Sequence, residues 1–152
     1  MPLKIEDIVN ATGGELITGS PDIGISGFST DSRTILPGNL FIALQGEKHD
    51  GHSFLGEAFL REAAGAIISK NIHREIEPGR SFFVIKVHDT LRALGDIAKV
   101  YRERIGKTVI IAITGSSGKT TTKEILRWIL LEEFNIVASK ASFNNFVGVR
   151  PQ

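Results

Sequence analysis

Val109-Ile110-Ile111-Ala112-Ile113 runs straight into Thr114-Gly115-Ser116-Ser117-Gly118-Lys119-Thr120-Thr121-Thr122, and the chain after it is amphipathic, with Ile125, Leu126, Ile129 and Leu130 on one face. A buried strand, a glycine-rich turn, then Lys-Thr at the start of a helix is the setting of a phosphate-binding loop. Successive backbone N–H groups and the helix N-terminus cradle anionic oxygens, and glycines let the backbone come close. A lysine there reaches the β- and γ-phosphates as a point charge, while the hydroxyl after it ligates Mg²⁺. The common pattern has a glycine five positions before the Gly-Lys pair; here that position is Ile113, and Gly115 follows two residues later. Three β-branched threonines are poor helix formers, so folding alone is a weak reason for Lys119-Thr120-Thr121-Thr122 at a helix start.

Outward from this turn, the apolar pattern predicts an α/β chain. A helix over 119–131 and a strand near 135–138 follow the loop, and the strand 108–113 precedes it. Upstream, Ile5, Ile8 and Val9 share a helical face closed by Gly13-Gly14. Residues 15–28 read as short strands and turns, and Thr34-Ile35-Leu36-Pro37-Gly38-Asn39 contains a turn, with proline setting its corner. Leu40–Leu44, Ala66–Ile68 and Phe82–Ile85 are of buried-strand length. Residues 53–64 read as a helix capped by Ser53, with Phe54, Ala58 and Phe59 inward. The segment Asp89–Ile105 reads as a helix with Leu91, Leu94, Ile97, Ala98 and Tyr101 inward and Gly106 at its end. Trp128 and Phe134 read as core. Helices interleaved with strands give a small N-terminal α/β domain followed by the start of a P-loop, parallel-sheet domain. The expected divisions are 1–86, a linking helix at 87–106, and an incomplete unit at 107–152.

The 152 residues carry 18 Lys and Arg against 17 Asp and Glu, a net charge of +1, which excludes a broad electrostatic footprint for nucleic acid. With no cysteine, disulfides, thiolate metal sites and cysteine nucleophiles are excluded. No stretch has the roughly 20 apolar residues of a membrane span, and acids near the N-terminus argue against a signal peptide.

The loop and four further stretches carry a resemblance. Ile113–Thr121 resembles the ATP loop of the Mur ligases of peptidoglycan synthesis. Ser142-Phe143-Asn144-Asn145-Phe146-Val147-Gly148-Val149 is similar to that family's Asn-Asn-x-x-Gly-Val segment. Ser29-Thr30-Asp31-Ser32-Arg33, Pro37–Leu44 and Asp50-Gly51-His52-Ser53-Phe54 resemble the N-terminal domain of its later members. Within the family the set is most like the member that adds a D-alanyl-D-alanine dipeptide, and next most like the one that adds the third residue. The resemblance implies a cytoplasmic, three-domain enzyme. It joins D-Ala-D-Ala to UDP-N-acetylmuramoyl-tripeptide after ATP phosphorylates the tripeptide's terminal carboxylate to an acyl phosphate. It further implies that Thr114, Gly115, Ser116, Ser117, Gly118, Lys119, Thr120 and Thr121 hold ATP, with Lys119 and Thr120 catalytic and Thr120 on Mg²⁺. Ser29, Thr30, Asp31, Ser32, Arg33, Asp50, Gly51, His52, Asn144 and Asn145 would meet the substrate.

Other readings of the same residues stay open. Arg33 is able to pair bidentately with a diphosphate or with Asp31, and Asp31-Ser32-Arg33 also reads as a turn with an internal ion pair. His49, Asp50 and His52 read either as metal ligands or as a turn with His52 packed nearby. Asn144-Asn145 reads also as a surface turn. Phe146 stands where many relatives carry an acidic or polar residue, and Arg150-Pro151-Gln152 where they continue into an apolar helix. An N-terminal piece of the ligase, inactive alone, is therefore expected. The alternatives are a stand-alone module for UDP-sugars or an unrelated small P-loop NTPase.

Overall fold

The computed structural model describes residues 3–46, 49–71, 82–106 and 108–139. The chain divides into two compact units, Met1–Gly106 and Lys107–Gln152. In the first unit helix α1 (Ile5–Thr12) leads into strands β1 (Glu15–Thr18), β2 (Gly27–Ser29) and β3 (Asn39–Ile42). Helix α2 (Leu55–Leu60), strands β4 (Gly65–Ile68) and β5 (Phe83–Lys86) and helix α3 (Thr90–Ile105) complete it. One sheet runs in the order β1-β5-β4-β3-β2. Neighbours from β2 to β5 are parallel, and β1 closes the edge antiparallel to β5 with a bulge between Leu16 and Thr18.

Strand periodicity of two sorts the apolar residues onto the two faces. Leu40, Ile42, Ile67, Phe83 and Ile85 pack with Ile5 and Ile8 of α1 and Ala93 and Ile97 of α3. Phe41, Ala66, Ile68, Phe82 and Val84 pack on the other side with Ile35 and with Leu55 and Ala58 of α2. Cover on both faces is why the three central strands are uninterrupted apolar runs rather than alternating ones. Pro37 and Gly38 take the predicted corner: Asn39 N–H donates to Leu36 C=O at 3.0 Å, and Gly38 has φ 80°, which a Cβ would oppose.

Two helices differ from the expectation in phase. The chain after Asp50 winds first as a 3₁₀ turn (Gly51–Phe54), capped by the Asp50 carboxylate and not by Ser53. With three residues per turn it brings Leu55 and Ala58 inward and leaves Phe54 and Phe59 partly exposed, and α2 ends at Leu60, short of 64. Phe59 still meets the buried Phe82 edge-on. In α3 the Asp89 carboxylate caps the start through Leu91 and Arg92 N–H. Packing against α1 turns the buried stripe to Thr90, Ala93 and Ile97, with Leu94 and Tyr101 half-buried, so Leu91 and Ala98 lie outside it. Arg104 pairs with Asp7 between the same two helices.

The second unit holds helix α4 (Lys119–Leu130). The expected strands at 108–113 and 135–138 are not formed among the described residues, because a strand exists only through hydrogen bonds to a neighbour. Val109, Ile110 and Ile111 are exposed, and so are Trp128 and Phe134, contrary to the core role expected of the two aromatics.

Candidate functional site

Four parallel strands end at one edge of the first unit's sheet, the place where α/β folds bind ligands. Beyond β2, Ser29 Oγ donates to Asp31 C=O at 2.9 Å and accepts from Asp31 N–H, fixing a tight turn. Asp31 then accepts from Arg33 three times: from N–H and Nε at 3.0 Å on Oδ1, and from a terminal guanidinium nitrogen at 2.9 Å on Oδ2. Arg33 is 80% exposed, so its fork is oriented by Asp31 while its outer N–H groups face solvent. Of the two pairings open to Arg33 from sequence, the structure holds the one with Asp31. Ser32 turns inward, buried, and donates to Glu57 Oε2 of α2 at 2.7 Å; Arg61 holds the other oxygen of that carboxylate. Thr30 is half-buried.

Beyond β3 the chain doubles back. Gln45 bridges Asp50, Gly46 N–H donates to His49 C=O, and Gly51 N–H donates to Leu44 C=O at 2.8 Å. Asp50 accepts from His52 N–H at 3.0 Å, from His52 Nδ1 at 2.6 Å and from Lys70 Nζ at 2.6 Å. The Lys70 ammonium, then the two His52 donors, hold the Asp50 carboxyl well below the usual carboxylate range. His52 Nε2 accepts Ser69 N–H at 3.0 Å. At the end of β5, Lys86 donates to Asn71, which lies beyond β4. Among the described residues no three His, Asp or Glu side chains are grouped to hold a metal; Asp50 and His52 are bonded to each other within the turn. Lys70, Ser69 and Glu57 were not singled out from sequence. The usable signal for the first two was their position directly after the apolar run Ala66–Ile68.

In the second unit the exposed turn Thr114–Gly118 leads into α4. Gly115 and Gly118 have φ 154° and 76°, and Gly118 ends the turn as the N-cap. Lys119, the first helical residue, folds its side chain back so that Nζ donates to Gly115 C=O. Its ammonium therefore lies over the loop, beside the helix amides that have no intrahelical acceptor. Thr120 and Thr121 are exposed. One turn further along the helix, Lys123 pairs with Glu124 and donates to Ser139 C=O at 2.6 Å. Exposed loop amides, a 12-residue helix dipole and one ammonium form a donor set that suits the phosphate oxygens of a nucleotide. Asn144 and Asn145 lie outside the described residues. No described helix is long and apolar enough to cross a membrane.

Residues 24–102 match the model of the Mur ligase family, catalytic domain, and residues 113–151 that of the Mur ligase middle domain. The UDP-N-acetylmuramoyl-tripeptide–D-alanyl-D-alanine ligase of Treponema pallidum is 35% identical over 160 residues, 98% of this chain and 34% of that protein. A crystal structure of MurF from Acinetobacter baumannii superposes with a TM-score of 0.85 at 34% identity, over 97% of this chain and 32% of that one. MurF ligase from Thermotoga maritima, solved in complex with ADP, gives 0.62 at 31% identity, over 78% of this chain and 26% of that one. The chain thus spans about a quarter to a third of the length of the relatives it matches.

Proposed function

The chain belongs to the Mur ligase family, and from that premise we propose that it supplies the sugar-nucleotide grip and phosphate loop of a ligase joining D-Ala-D-Ala to UDP-N-acetylmuramoyl-tripeptide in the cytoplasm. The observation that carries this reading is Lys119, set at the first position of α4 behind the left-handed Gly118 with its ammonium over the loop. Thr114–Thr121 hold the ATP phosphates. Lys119 exchanges Gly115 C=O for phosphate oxygen and offsets the negative charge that builds on the transferred group. Thr120 is the residue for Mg²⁺, whose contribution when bound is to neutralise phosphate charge. ATP supplies the phosphoryl group that activates the tripeptide carboxylate.

The first unit takes the UDP end. Arg33 presents its outer N–H groups to the diphosphate while Asp31 holds the guanidinium plane, a bidentate arrangement that suits phosphate oxygens. Thr30 lies beside it, and Ser29 and Ser32 shape the turn. Asn144 and Asn145 offer neutral donors and acceptors to the substrate.

The test joins this chain to the remaining two-thirds of a D-alanyl-D-alanine-adding ligase and measures D-Ala-D-Ala-dependent phosphate release with UDP-N-acetylmuramoyl-tripeptide. Turnover is expected, with a loss of about a hundredfold or more for Lys119→Ala, the scale for removing a donor to developing charge. A fused enzyme indifferent to Lys119→Ala refutes the role of the loop.

A further inference from the structure

His52 has both ring nitrogens committed inside the protein. Nε2 accepts Ser69 N–H at 3.0 Å, so it carries no proton, and the ring's proton is on Nδ1, 2.6 Å from Asp50 Oδ1. The side chain is 11% exposed. Asp50 is equally occupied, with two donors from His52 and one from Lys70. The order carboxylate, imidazole, hydroxyl is that of a nucleophilic triad. Ser69 Oγ, however, is 3.4 Å from Nε2, whose lone pair already takes the backbone N–H, so the ring is not a base for that hydroxyl.

What the pair does is mechanical. Asp50 and His52 belong to the turn that folds back over the end of β3, and Ser69 and Lys70 directly follow β4. Through them the Leu44–Gly46 turn is fastened to the neighbouring strand, between the Arg33 turn on β2 and the cation on β4. Lys70 is 47% exposed; Asp50 takes one of its three N–H donors and fixes where the other two point.

We infer that Asp50 and His52 are positioning residues that touch no ligand, holding the Lys70 ammonium and the Leu44–Gly46 turn for an anionic sugar nucleotide. The inference rests on the proposed function, which puts a UDP-sugar at this edge. Lys70 is then a ligand-facing residue, a contact for phosphate oxygen.

Calorimetric titration of the chain with UDP-N-acetylmuramoyl-tripeptide tests it, with melting curves run on each variant. His52→Ala is expected to weaken binding by about tenfold, the scale of one lost anchoring hydrogen bond. His52→Gln, whose amide oxygen reaches Ser69 N–H, restores it to within about threefold. Asp50→Ala with His52→Ala is no weaker than the worse single variant, since residues acting as one unit are not additive. Lys70→Met weakens binding and flattens its dependence on salt, which a purely structural residue does not change. The inference is overturned if His52→Ala binds as the parent chain does. It is also overturned if His52→Gln gives no rescue and the two alanine losses add, the mark of direct contacts. Where His52→Ala fails to fold, His52→Gln and Lys70→Met decide. A parent chain that binds no UDP-sugar overturns the proposed function itself, and the inference with it.

Discussion

Gly51→Ala converts a close backbone approach into a measurable loss. A Cβ at residue 51 would lie 2.6 Å from Leu44 C=O, 2.7 Å from Leu44 N and 2.9 Å from Ala43 C. All three are backbone atoms at the end of a central strand, so no side chain is free to swing aside. Overpacking of this kind costs about 1–3 kcal/mol, and shifting the turn strains the Gly51 N–H bond to Leu44, about 1 kcal/mol more. The total is about 2–4 kcal/mol. A unit of about 100 residues unfolds with roughly 0.2 kcal/mol per kelvin of entropy. The melting temperature of Met1–Gly106 should therefore fall by about 10–20 °C. Gly56→Ala is the matched control: a Cβ there meets nothing within 4 Å on an exposed position of α2. It should stabilise by roughly 0.5 kcal/mol through reduced backbone freedom. Thermal melts by far-UV circular dichroism give both values, with Tyr101, the single tyrosine, as a second probe within the first unit. Equal melting temperatures for the two variants would refute the close approach and the fastened turn built on it.

Other outcomes follow from the same packing. Ile97→Ala, buried between α3 and the sheet, should cost about 2–5 kcal/mol by chemical denaturation; a loss under about 1 kcal/mol would mean that α3 does not cover the core. Asp89→Ala should lower the melting temperature by uncapping α3, and an unchanged melt would place the helix start elsewhere. Asp7 and Asp50 both have carboxyls held below their ordinary 3.8, Asp7 by Lys4 N–H and Arg104, Asp50 by Lys70 and His52. Their stabilisation is present above that value and is lost as pH falls through it and below. Acid titration of Asp50→Asn should show a shallower fall in stability below pH ~4 than the parent chain; identical slopes would contradict the ion pair with Lys70.

What was legible in the sequence was local. The apolar runs at 40–44, 66–68 and 82–85 gave the central strands because burial on both faces leaves no room for polar residues in them. The proline-glycine turn and the end of α1 at Gly13 were legible because backbone angles are set by single residues. Helix phase was not, since it depends on which neighbour packs. Asp50 capping a 3₁₀ turn moved Phe54 and Phe59 outward, and α1 chose Ala93 over Leu91. Strands at 108–113 and 135–138 need partners that local pattern does not supply. At the site, Asp31 and Arg33 were visible because they are two residues apart. Lys70 and Ser69 escaped notice because their contacts to Asp50 and His52 span 20 and 17 residues.

The central claim is that the first unit grips a UDP-sugar through Arg33. Calorimetric titration of the chain with UDP-N-acetylmuramoyl-tripeptide, beside Arg33→Ala, tests it most directly. The account predicts one-site binding that weakens by about tenfold or more in Arg33→Ala, the loss of a charge-assisted contact to phosphate. No binding, or binding that Arg33→Ala leaves unchanged, would contradict it.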